Sequence, residues 1–183
     1  MHRMRTLAVG LTVAISLGSG AAALAPAALA SVARPASVGT FHSWRAAQRA
    51  AGFGLIRPGN TYGLRRNGLV SVVPCQASGQ MSKRQVFASY GSFLSGPELS
   101  LRQDNASTPC GNFGAARVLG HYRVQGRRAT LYGVCGKHLG PPCSSRRITM
   151  YLTWRKHGNY YEASSHNERR HTIVGFARSL HRV

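Results

Sequence analysis

An α+β fold, a mostly antiparallel curved sheet with one helix near each end of the chain, is predicted by three observations. Short runs of alternating apolar and polar residues dominate the middle of the sequence. Hairpin-length connections join them, which favours antiparallel neighbours over crossovers. Apolar residues recur at helical spacing only around Phe41–Ala51 and Ile173–Leu180.

The chain opens on a basic start, Met1-His2-Arg3-Met4-Arg5, followed by an uncharged alanine-rich run from Thr6 to Leu24. Ala28-Leu29-Ala30 then supplies a small-x-small cleavage pattern. Residues 1–30 are therefore expected to be a signal peptide and the mature product extracytoplasmic. A membrane anchor is the alternative for this run, but Gly10, Gly18, Ser19 and Gly20 dilute it and Pro26 follows it. No transmembrane segment is expected after cleavage. Residues 31–39 are expected to form a flexible leader, and residues 40–183 a single α+β domain.

Within that domain, Phe41, Trp44, Ala47 and Ala51 predict a first helix, with Thr40 as N-cap and Gly52 as stop. Strands at Tyr62–Arg66 and Leu69–Val73 flank Asn67-Gly68, a strong hairpin signal because both residues tolerate positive φ. Further strands are expected at Gln85–Tyr90 and at Glu98–Arg102, where Leu99 and Leu101 share a face. His121–Val124 and Ala129–Val134 flank a turn at Gln125-Gly126. The clearest strand is Ile148–Trp154, with Met150, Leu152 and Trp154 on one side. His157-Gly158 then turns the chain into Tyr160–Ser164. Ser165-His166-Asn167-Glu168 has the form of a capping box that starts the last helix.

Four cysteines, Cys75, Cys110, Cys135 and Cys143, lie in the mature region. In an exported chain they read as two disulfides. Three pairings are possible. Cys135 and Cys143 lie close together around Pro141-Pro142, which leaves Cys75 with Cys110, bridging two loops. Zinc is the alternative, but the spacings lack close Cys pairs. Neither a metal nor a cofactor is expected.

Charge is the other outlying property. The chain carries 24 Lys and Arg against 4 Asp and Glu, a net charge of +20. Loss of Arg3 and Arg5 with the signal peptide would lower it to +18. So few acids cannot neutralise the cations pairwise. Attraction to a polyanion or an anionic cell-surface polymer is one consequence. A genomic bias toward arginine explains the same composition, since only three of the cations are lysines. Candidate binding residues are the pairs Arg65-Arg66, Arg127-Arg128, Arg146-Arg147 and Arg169-Arg170. They are scattered, so any basic face has to be assembled by the fold.

The order of several of these features resembles a known family. Ala51-Gly52-Phe53 leads to the turn at Pro58, and a strand ends at Tyr90 before Leu99-Ser100-Leu101-Arg102. Ala129-Thr130-Leu131-Tyr132 follows the Gly126 turn. Leu152-Thr153-Trp154-Arg155-Lys156-His157-Gly158 precedes Tyr160-Tyr161, and Ala177-Arg178-Ser179-Leu180 closes the last helix. The pattern resembles a bacterial extracytoplasmic domain of unknown function found in anti-sigma-type and secreted proteins, distantly similar to the lipoprotein-carrier fold. The resemblance implies a curved sheet with packed helices that binds a partner or an apolar ligand. It supplies no catalytic residues. The chain departs from the family in its cysteines, its arginine excess and its lack of an anchor.

No phosphate-binding loop, nucleophile elbow or zinc-protease motif occurs. The candidate catalytic cluster is His166, Glu168 and His171, which a ribonuclease-like hydrolase could use as acid and base. The plainer reading has Glu168 capping the helix and both histidines solvated. The expected function is thus a secreted, basic, disulfide-stabilised binding module that contacts an anionic surface or another extracytoplasmic protein. A small ribonuclease-like hydrolase and an apolar-ligand carrier are the alternatives.

Overall fold

Strand pairing decides where the predicted elements begin and end. In the computed structural model the described residues are 38–76, 82–92, 94, 96–106, 108–111, 116–134 and 148–183. They belong to one compact unit, Arg34–Val183. The elements are β1 (Gly39–Phe41), α1 (Trp44–Ala51), β2 (Ile56–Arg57), β3 (Arg66–Pro74), β4 (Arg84–Gly91), β5 (Glu98–Asp104), β6 (Arg117–Val124), β7 (Arg127–Val134), β8 (Thr149–Lys156), β9 (Asn159–His166), α2 (Arg170–Arg178) and β10 (His181–Arg182).

Eight strands form one open, curved antiparallel sheet in the order β1-β3-β4-β5-β9-β8-β7-β6, and β2 pairs with β10 in a separate ribbon. The hairpins at Gln125-Gly126 and His157-Gly158 form as expected, with both central residues at positive φ in each. Such primed turns match the right-handed twist of the flanking strands. The long-range step is β5 pairing with β9 at the centre of the sheet, which joins a β3-β4-β5 meander to a β6-β7-β8-β9 meander.

Both helices cover the same face. Val70, Val72, Val86, Ala88, Leu99, Leu101, Leu131, Leu152 and Ala163 from the strands pack with Trp44 and Ala47 of α1 and with Ile173, Phe176 and Ala177 of α2. The spacing is physically economical: alternate strand residues point to one side, and the apolar core lies on that side. Gln103 is fully buried in this layer. Its side chain accepts from the Ile56 amide at 2.8 Å and donates to the Ile56 carbonyl at 2.7 Å, so it substitutes for a strand neighbour to β2. Among the described residues, no helix is long and apolar enough to cross a membrane.

Three local expectations are corrected. The first helix begins at Trp44, and Ser43, not Thr40, is its N-cap, accepting from the Ala46 amide at 3.2 Å. Thr40 is instead held in β1 opposite Ser71. Asn67-Gly68 is not a hairpin turn. It lies inside β3, where Gly68, at φ 76°, sits in a bulge between the Asn67–Ser89 and Ser71–Phe87 pairings. The positive φ that the dipeptide signals is real, but β4 offers a long partner beyond the irregularity, and the strand continues.

Ser165 and Glu168 do not form a capping box. Ser165 is buried in β9 between Leu99 and Met150, and Arg169 occupies the N-cap with no side-chain hydrogen bond. A cap contributes only about 1 kcal/mol. Two flanking strands holding β9 as far as His166 outweigh it.

The disulfide Cys75–Cys110 is present and ties the end of β3 to the loop after β5. The two sulfurs are thereby excluded from a four-cysteine zinc site. The other expected bridge, Cys135–Cys143, lies outside the described residues, as do the expected signal peptide and most of the expected leader.

Candidate functional site

The face of the sheet opposite the helices is polar, and its centre is built by β5 and β9. Because Leu99, Leu101 and Gln103 point into the core, Glu98, Ser100, Arg102 and Asp104 point outward. Pairing sets them opposite His166, Ser164, Glu162 and Tyr160 respectively. Three of the four acids in the chain thus meet on two adjacent strands of a protein with net charge +20.

Arg102 is the hub. Its Nη2 lies 2.8 Å from Glu162 Oε2 and its Nε 3.5 Å from Asp104 Oδ2. The guanidinium carbon stands 5.9 Å from the centre of the Tyr160 ring. All three charged side chains are largely shielded, Asp104 completely. The disulfide loop closes one end of the cluster. The Cys110 amide donates to Asp104 Oδ2 at 2.8 Å, and the Gly111 backbone packs so closely that a Cβ there would lie 2.6 Å from Arg102 Nη1.

Burial dominates the acid–base properties. The Glu162 carboxyl is pushed up to about 7, by desolvation first and the Asp104 charge second, against the opposing pull of Arg102. Burial also raises Asp104, while the Cys110 amide, Arg102 and Gln85 oppose it. Tyr160 and Tyr151 are raised by burial and by the neighbouring Glu162.

Stability follows from these directions. An ordinary glutamate at 4.5 in the unfolded chain gives up its proton earlier than folded Glu162. The folded form therefore loses stability as pH rises from about 4.5 to about 7 and stays at the lower value above that. The loss is about 3 kcal/mol from this one group. Urea unfolding at acid and neutral pH should show it, and Glu162→Gln should flatten that part of the profile. An unchanged slope in the variant would assign it to other groups.

Around this cluster the open face forms a depression of about 360 Å³ between Phe87 on β4 and Tyr151 on β8. Ser100 and Ser164 hydrogen-bond across its floor, and His166 Nδ1 lies 3.1 Å from Thr149 Oγ1 at one end. The arrangement presents carboxylates, hydroxyls, a guanidinium and aromatic rings together on a rigid sheet.

No family model matches the chain. No curated protein and no solved structure matches it either. Function is therefore argued from the site itself.

The residues singled out in the sequence are distributed as follows. His166 lines the open-face depression, whereas His171 lies on α2 and lines a groove with Tyr122 and Arg178. Glu168 is half-buried in the connection between β9 and α2. The three are not gathered into one depression. Arg65 and Arg66 sit at the start of β3, and Arg66 donates to the His42 and Gly68 carbonyls at 2.6 and 3.2 Å. Arg127 and Arg128 start β7, five strands away in the sheet and at its opposite end by register. Arg169 and Arg170 are exposed at the N-terminal end of α2. Arg146 and Arg147 lie outside the described residues. Among the described residues, no group of three or more His, Cys, Asp or Glu is placed to hold a metal ion.

The Arg102 cluster was missed in the sequence. Its trace there is the alternation Glu98, Ser100, Arg102, Asp104, which becomes a cluster only once β9 is known to be the neighbour of β5.

Proposed function

We propose that the chain is exported by its first thirty residues and works outside the cytoplasm as a binding module. In this reading its excess charge holds it near anionic cell-surface polymers. The observation that supports this best is the placement of the arginine pairs. Arg65-Arg66 and Arg127-Arg128 lie at opposite ends and opposite sides of the sheet, and Arg169-Arg170 lies on the helix layer. Charge spread in this way acts as a field around the whole molecule, attracting polyanions without a single docking patch. The dispersal of His166, Glu168 and His171 favours binding over the hydrolase. A polar open face and a side-chain-filled covered face favour it over an apolar carrier.

Retention of the oxidised mature protein on immobilised polyphosphate tests the proposal. Retention should fall steeply with salt as counterions compete. Arg65→Ala/Arg66→Ala and Arg127→Ala/Arg128→Ala should weaken it by similar factors. Each should stay below about 30-fold, the ceiling set by roughly 1 kcal/mol per contacting cation. Abolition by one pair alone, or retention indifferent to salt, would overturn the reading.

A further inference from the structure

We propose that the open-face depression between Phe87 and Tyr151 is a binding site for a neutral oligosaccharide. The inference rests on the binding-module reading and names a ligand class for its open face.

The chemistry of the lining selects the ligand. A sugar ring has an apolar face and a rim of hydroxyls that both donate and accept. Phe87, 39% exposed on β4, and Tyr151 on β8 offer aromatic surfaces at the two flanks. They stand three inter-strand steps apart, about 14 Å across the sheet. That span suits a ligand of more than one ring. Between them the lining supplies groups that both donate and accept in Gln85, Ser100, Thr149 and Ser164.

Charge argues against the competing ligands. Arg102 is already engaged by Glu162 and Asp104, so it is not free to capture a phosphate or carboxylate. Glu98 on the same face repels such anions further. A polyol asks for no net charge and uses the hydrogen-bonding capacity that remains. At about 360 Å³ the depression lies at the lower end of the ~300–1,000 Å³ typical of small-ligand sites. Its groups are held by strands and by cross-strand bonds such as Ser100 with Ser164, so little ordering is needed on binding.

The test is an amide-shift titration with triacetylchitotriose and with cellotriose, in high salt to suppress the polyanion contribution. Saturable shifts confined to β4, β5, β9 and β8 are expected from at least one of them. Phe87→Ala and Tyr151→Ala should each weaken binding by about tenfold, as loss of an aromatic contact does. Ser100→Ala should weaken it with the fold intact, checked by the amide spectrum. Retention on polyphosphate should be unchanged in Phe87→Ala and Ser100→Ala. Absence of shifts with both sugars at millimolar concentration, or binding indifferent to Phe87→Ala, would overturn the proposal even where polyphosphate retention holds. Sugar binding without polyphosphate retention would overturn the charge reading and leave this site standing. Capture on insoluble acetylated glycan, displaced by the soluble sugar, would mark a surface polymer as the source of the ligand.

Discussion

Arg102→Met is expected to cost about 3–5 kcal/mol of folding stability at pH 8 and much less at pH 5. The substitution keeps a long, flexible side chain over Tyr160 but removes the guanidinium engaged by Asp104 and Glu162. Two carboxylates would then remain in a buried site, and a charge left there without a partner is far more costly than the original pair was stabilising. The pH dependence carries the diagnosis. Arg102 lowers the proton affinity of both acids, so without it both rise further. At pH 5 they can fold in their neutral forms, and at pH 8 folding must either hold the protons or bury the charges. Urea unfolding of wild type and variant at the two pH values checks this. A loss of equal size at both would mean that Arg102 contributes through packing alone.

Cys75→Ser/Cys110→Ser is expected to destabilise by roughly 4 kcal/mol, from the loop-closure entropy of a bridge spanning 35 residues. For a domain of this size that corresponds to about 10–15 °C in the unfolding midpoint. A local effect accompanies the global one. The loop carries the Cys110 amide that holds Asp104 and the Gly111 backbone that covers Arg102. With the loop released, water reaches the cluster and relieves the burial of Glu162. That relief brings the Glu162 carboxyl down toward its ordinary range. Calorimetry reads the first effect and a carboxyl titration the second. A midpoint shift of only a degree or two would show that the loop is held by its other contacts, such as the Asn105 amide to the Arg84 carbonyl at 3.2 Å.

Local features of the fold were legible wherever the deciding interaction was itself local. Gln125-Gly126 and His157-Gly158 announce turns because their own backbones take positive φ. Met150, Leu152 and Trp154 announce a covered face by alternation. The Cys75–Cys110 pairing followed from proximity of the other two cysteines. Legibility ended where a distant strand decided. Asn67-Gly68 makes a bulge because of β4, and Ser165 is a strand residue because of Leu99 and Met150. The candidate site belongs to this second kind. Arg102 and Glu162 are 60 positions apart in the sequence, and nothing near either one announces the other. The visible His166, Glu168 and His171 were close in sequence, but the end of β9 sends His166 to the open face and His171 onto α2. The scarcity of acids was the available clue. In so basic a chain, each carboxylate is worth asking what it is paired with.

A carbon-detected NMR titration of the Glu162 side-chain carboxyl, run on the oxidised protein from about pH 4 to about pH 9, decides whether β5 and β9 bring a buried charged cluster to the open face. A midpoint near 7 is predicted, moving higher in Arg102→Met. A midpoint near 4.5, unmoved by that substitution, would place Glu162 in water and contradict the cluster on which the open-face site is built.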